Sequence, residues 1–186
     1  MKIIKQFFQK HFIDKVVMSD SIELKVKRGI PSQYIKEVQD LYNLYKENPQ
    51  KTHLIAALTI LCFAIETRVN EMLFAINKNG FEKIEKQTLL EKIKLLYKSK
   101  NQVFSKTTYY EDIKDLIKLR NLFVHYKPQL REINSTEEEL FNKVTEKNLI
   151  KYYSKALKLL KDLEAVLDLP SETIAPIPYS NRLDLK

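Results

Sequence analysis

The sequence predicts an all-α protein, a bundle of four to five core helices. Three observations predict it. Only 2 of the 186 residues are glycine, while Leu, Ile, Lys and Glu dominate, so helix formers abound and breakers are scarce. Apolar residues recur at helical spacing in one segment after another. The stop signals, Asn79-Gly80, Pro128 and Pro170, fall between those segments.

From Met1 to about Asp14, Ile3, Ile4, Phe7, Phe8 and Phe12 follow helical spacing, which predicts a short amphipathic helix docked on the core. Ile22, Leu24 and Val26 then alternate with Glu23, Lys25 and Lys27, a strand-like pattern that needs a pairing edge, such as one on a partner chain. Pro31 suits the first turn of the next helix, because its missing N–H would be unpaired there anyway. Tyr34, Ile35, Val38, Leu41, Tyr42 and Tyr45 carry that helix to about Asn48. Residues 1–48 read as an N-terminal extension to a helical domain spanning 49–169, with a Pro-rich tail over 170–186.

A long helix follows from about Thr52 to Asn77, with Asn79-Gly80 as its C-cap signal. Its first half is apolar nearly all round, which makes it the central buried helix. Its longest apolar run, Leu54 to Ile65, is too short to cross a bilayer. Glu66 lies on the edge of the apolar stripe, where a carboxylate needs a partner, and Asn70 shares that edge one turn on.

Leu89, Leu90, Ile93, Leu96 and Tyr97 mark an amphipathic helix over Gln87 to Tyr97, followed by a polar loop from Ser99 to Thr108. The next helix runs from Tyr109 to about Lys127 and ends before Pro128. Ser135-Thr136-Glu137-Glu138 reads as a capping box, and Thr145 offers a second start. The last helix, to about Leu169, aligns Leu149, Tyr152, Tyr153, Ala156, Leu159, Leu160, Leu163 and Leu167 on one broad face.

The helix before Pro128 ends in Arg120-Asn121-Leu122-Phe123-Val124-His125. At about 100° per residue, Ile113, Leu116, Ile117, Phe123 and Val124 all fall within about 60° of Arg120, so this arginine occupies the middle of an apolar stripe. Arginine is almost never fully buried without a partner. Asn121 and His125, four residues apart, are neighbours on the edge of that stripe. Two readings fit: Arg120 forms a structural ion pair, or the three polar residues share a pocket that faces a groove or a second subunit.

The hexapeptide resembles the Arg-Asn-x-x-x-His motif of the HEPN superfamily (higher eukaryotes and prokaryotes nucleotide-binding). Glu66, in Phe63-Ala64-Ile65-Glu66-Thr67-Arg68, resembles the acidic residue of an earlier core helix in that family. The resemblance covers about Thr52 to Leu169 and implies a HEPN-like bundle acting as a metal-independent endoribonuclease. In the implied homodimer the Tyr109–Lys127 helices lie near the two-fold axis, and two copies of the motif face one cleft. Arg120, Asn121 and His125 are then catalytic, with Glu66, Asn70 and Tyr126 in support. A 2′-hydroxyl attacks the adjacent phosphorus, His125 moves the proton and Arg120 holds the phosphate. The implied partners are RNA and, for a toxin or a defence protein, an antitoxin or regulatory protein. HEPN toxins regulated by modification carry a Tyr two positions after the His, where this chain has Lys127.

No metal or other cofactor is expected. His11, His53 and His125 are far apart, and neither a phosphate-binding Gly-rich loop nor a CxxC pair occurs. The single Cys62 lies in an apolar run, which fits a reducing compartment, and Lys5, Gln6, Gln9 and Lys10 interrupt any signal-peptide core. Together these predict a cytoplasmic protein away from the membrane. The net charge of +8 permits nucleic acid as partner, although its lysines are spread along the chain. The alternative to an enzyme is a non-catalytic HEPN-like module that binds RNA, a nucleotide or a protein.

Overall fold

The computed structural model describes residues 30–124 and 135–167. The expected helix over Met1–Asp14, the strand-like segment Ile22–Lys27 and the tail from Pro170 lie outside the described residues.

Seven α-helices account for nearly all of the described chain, which contains no strand. They are α1 (Ile30–Glu47), α2 (Lys51–Ile76), α3 (Phe81–Glu85), α4 (Leu89–Lys98), α5 (Tyr110–Val124), α6 (Ser135–Asn142) and α7 (Glu146–Leu167). Single 3₁₀ turns at Lys78–Gly80 and Phe104–Lys106 join α2 to α3 and α4 to α5.

The architecture follows from α2. Its buried residues, among them Ile60, Cys62, Ala64, Ile65 and Leu73, spread over well more than half of its circumference, so one neighbour cannot cover them. Helices α1, α4, α5 and α7 pack around it. By length and composition α2 could cross a membrane, since it continues through Glu66 and Arg68 beyond the run counted in the sequence. Here its apolar surface serves as the bundle core.

Helix α1 belongs to that core. Ile35, Val38 and Tyr42 are buried against α2, so the expected boundary at 48/49 does not separate an extension from the domain. The cause is simple: α2 is apolar on the side that α1 covers.

Local rules set the starts of α4 and α7. Thr88 and Glu91 form a reciprocal capping box, the Thr88 N–H donating to Glu91 at 2.9 Å and the Glu91 N–H to the Thr88 hydroxyl at 3.4 Å. The Thr88 hydroxyl, which donates to the Glu91 carboxylate at 2.8 Å, and the Thr88 N–H hold the Glu91 carboxyl below its usual pKa. Thr145 accepts from the Asn148 N–H at 3.2 Å before α7.

Two connections differ from expectation. Asn77, not Gly80, caps α2, and Gly80 has φ −111°, outside the left-handed region of a helix-ending glycine. Gly80 packs closely there: an added Cβ would lie 2.7 Å from the end of the Asn77 side chain, which would have to shift. The chain then enters α3, whose Phe81 packs edge-on against Phe74. The segment Ser99–Thr108 is not wholly polar: Phe104 is buried and contacts the Tyr97 and Tyr110 rings.

Polar contacts tie the helices together across the core. Tyr109, just ahead of α5, donates to Asp162 of α7 at 2.8 Å and touches the Tyr97 hydroxyl of α4, and burial pushes its phenol well up. The largest fully buried side chain is Arg68, only 1% exposed. Its Nη1 donates to Glu71 at 3.1 Å, and its Nε donates to Glu164 Oε1 at 3.0 Å, with Nη2 on the same oxygen. Burial raises the Glu71 carboxyl, Arg68 opposes that shift and Glu164 adds to it.

Two predictions follow from these ties. Arg68→Leu leaves two carboxylates facing each other without a cation, and removal of one partner from a buried pair costs about 3–5 kcal/mol. Thermal unfolding should show a melting temperature lower by roughly 10 °C. Tyr42 donates to Glu146 at 2.7 Å, and this bond is the leading cause of the lowered Glu146 pKa. A lowered carboxyl stabilises the fold above the unfolded-state pKa and loses that contribution as pH falls through the folded one. Tyr42→Phe should therefore cost about 1 kcal/mol at pH 7, and the deficit should shrink only below about pH 4.5 in urea unfolding.

Candidate functional site

Helix α5 leaves the core at Arg120. Ile113 and Leu116 are fully buried and Ile117 nearly so, but Phe123 is half-buried and Val124 is exposed. Arg120 is thus not inside the core, as the centre of a uniformly buried stripe would be. Its side chain is 22% exposed, at the point where the stripe emerges.

Three elements converge there. Cys62 and Glu66 come from α2, Ile117, Arg120 and Asn121 from α5, and Gln87, Thr88 and Leu89 from the start of α4. They line a cleft of about 360 Å³. Glu66 sits at the junction. Its Oε2 faces Arg120 Nη2 at 3.4 Å, and its Oε1 faces Lys92 Nζ of α4 at 3.8 Å. Arg120 Nη1 donates to the Asn121 side-chain oxygen at 3.0 Å, and the guanidinium lies 5.2 Å from the Phe63 ring centroid. The third nitrogen, Nε, is buried without an acceptor among the described residues.

Of the residues singled out in the sequence, Arg120, Asn121 and Glu66 come together in this cleft. Asn70 follows Glu66 by one turn but is not part of the cleft lining, and its buried Oδ1 has no partner among the described residues. His125 and Tyr126 lie outside the described residues. His53 makes a local contact, its Nδ1 lying 3.2 Å from the Asn48 carbonyl oxygen. No cluster of three metal-ligating side chains occurs among the described residues.

Cys62 borders the cleft, but its Sγ donates to the Leu116 carbonyl at 3.5 Å. Burial pushes its thiol up, Arg120 pulls it partly back and Glu66 pushes it further. A thiol held protonated in this way is a poor nucleophile.

The sequence reading missed Lys92 and Arg68. Lys92 is only 2% exposed. Both signals were available: Lys92 lies three residues after Leu89 and four before Leu96, and Arg68 lies between Ile65 and Met72. A charge in an apolar stripe, the argument applied to Arg120, applies equally to them.

The two arginine clusters have opposite charge balance. Arg68 is one cation between two carboxylates. At Glu66, one carboxylate serves two cations. Counted over the described residues, the second cluster keeps one positive charge in excess beside an open cleft. That is the local chemistry of an anion site.

No family model, curated protein or solved structure matches this chain.

The balance of charge predicts a difference in stability. Arg120→Ala leaves Glu66 with Lys92 still beside it, so no carboxylate is stranded. The loss should be about 1–2 kcal/mol, from a partly exposed ion pair and the ring contact, against about 3–5 kcal/mol for Arg68→Leu. Paired urea unfolding curves would test this, and equal losses would mark Arg120 as structural.

Proposed function

We propose that this protein is a metal-independent endoribonuclease of the HEPN type that acts as a homodimer in the cytoplasm, in defence, as a toxin or in RNA processing. One observation carries the reading: Arg120, the first residue of the Arg-Asn-x-x-x-His motif, sits at a cleft whose charged cluster has an excess positive charge. A phosphodiester supplies the missing anion. Arg120 binds the scissile phosphate through its guanidinium and stabilises the charge that grows there during reaction. Asn121 orients the guanidinium from its own helix, and Glu66 anchors it from α2.

The reaction needs no external nucleophile. The RNA 2′-hydroxyl attacks the adjacent phosphorus, the bond from phosphorus to the 5′-oxygen breaks, and a 2′,3′-cyclic phosphate and a 5′-hydroxyl result. His125, whose side-chain type titrates near neutrality, takes the 2′ proton or supplies one to the leaving oxygen. In the dimer the second copy of the motif supplies the complementary role. The exposed Val124 beside Phe123 supports a contact between copies on this side of α5.

One observation favours a different reading, a non-catalytic module that binds RNA, a nucleotide or a protein. Both Arg120 Nη atoms already have acceptors, as they would in a purely structural cluster. Catalysis separates the two. RNA should be cut in EDTA and DNA of the same sequence left intact, because DNA lacks the 2′-hydroxyl. His125→Ala should slow cleavage about 10²–10⁴-fold while RNA affinity stays near wild type. Cleavage that Mg²⁺ alone restores after EDTA, or a fully active His125→Ala, would remove the ribonuclease reading.

A further inference from the structure

We propose that Lys92 is a positioning residue of the Arg120 site, leaving net positive charge at the cleft by sharing the carboxylate that Arg120 faces. The inference rests on the reading of Arg120 as a phosphate-binding group. It starts from an anomaly. Lys92 is among the most buried residues of the protein, yet a lysine at a core position is costly and any apolar residue of similar length would pack there. Among the described residues its ion pair is with Glu66, at 3.8 Å, through the oxygen that Arg120 does not use.

Without Lys92, Glu66 and Arg120 would form a one-to-one pair and their charges would cancel at the cleft. With Lys92 present, the carboxylate is divided between two cations, and net positive charge stays at the cleft. The geometry separates the roles. Arg120 is partly exposed and lines the cleft, whereas Lys92 is enclosed and is not part of the lining. Lys92 therefore acts through Glu66 and not by touching the phosphate. The arrangement also spans three helices, since Glu66 is on α2, Lys92 on α4 and Arg120 on α5, so it fixes the position of the carboxylate from both sides.

The test is a suppressor experiment with a probe that binds but cannot be cut, a 2′-O-methyl RNA oligonucleotide, beside cleavage of ordinary RNA and melting temperatures. Lys92→Met should weaken oligonucleotide binding and raise KM by about tenfold, with melting temperature at or above wild type, because an apolar side chain replaces a buried charge. Lys92→Arg should retain most of the affinity. Adding Glu66→Gln to Lys92→Met should return affinity to near wild type, because the neutral amide no longer cancels Arg120 but still accepts its hydrogen bond. A direct phosphate contact or a merely structural lysine predicts no such recovery. Failure of the second substitution to restore binding, or unchanged binding in Lys92→Met, would overturn the inference even if wild-type protein cleaves RNA. If wild-type protein neither binds nor cuts RNA, the ribonuclease reading falls on its own, and the same variants titrated with inorganic phosphate decide the role of Lys92. Phosphate binding that needs Arg120 and follows the same loss and recovery would support it, and any other pattern, including no phosphate binding, would overturn it.

Discussion

A helix that is apolar on nearly every side must be covered on every side, and α2 imposes that constraint on the rest of this protein. Four longer helices surround it because none alone can bury Ile60, Cys62, Ala64, Ile65 and Leu73 together. Two charged groups of α2 are consequently drawn into the bundle, Arg68 fully buried and Glu66 at its margin. Once there, Glu66 and Arg68 must be matched by charges from other helices, since an unpaired buried charge is far more costly than the contact it replaces. The ion clusters are thus a consequence of how α2 is packed. They also fix the relative placement of α2, α4, α5 and α7 more narrowly than apolar contact would.

The two clusters show how similar ingredients yield different results. Arg68 is closed off, with its hydrogen-bonding nitrogens turned to Glu71 and Glu164. Its surroundings carry surplus negative charge, and nothing about it invites an anionic ligand. The cluster at Glu66 has the reverse balance and opens on a cleft. Burial alone would have ranked Arg68 as the arginine of interest. Charge balance and access to solvent instead select Arg120.

The proposed chemistry suits this kind of site. Ribonucleic acid brings its own nucleophile, so on this proposal the protein would hold a phosphate, move protons and stabilise charge. An arginine held by a carboxylate on another helix would meet the first and third needs. Its placement comes from the same packing that buries α2, because Glu66 is on the core helix and the Arg120 guanidinium lies beside the Phe63 ring. The start of α4 closes the third side of the cleft, and its capping box fixes that edge with local hydrogen bonds. Site and fold therefore share their supports.

Periodicity by itself determined the all-helical class and the centrality of α2. It placed the ends of α2 within a residue and put Ile35, Val38, Tyr42, Leu149, Tyr152, Tyr153 and Leu163 in the core. Such features are local: each depends on residues a few positions apart, and the sequence states them directly. It also marked Arg120 as anomalous, because a charge amid Ile113, Leu116 and Ile117 breaks the local pattern. Only the tertiary structure decided that α1 belongs to the core and that Phe104 turns inward from a polar loop. Both depend on how successive helices fold back on one another: α1 lies against α2, and Phe104 meets the Tyr97 and Tyr110 rings where α4 turns into α5. It alone decided that Glu66 would be shared between Arg120 and Lys92, residues 54 and 26 positions away. No spacing rule relates residues on three separate helices. Their meeting is set by how those helices pack, and the charge balance of the cleft exists only once they have packed.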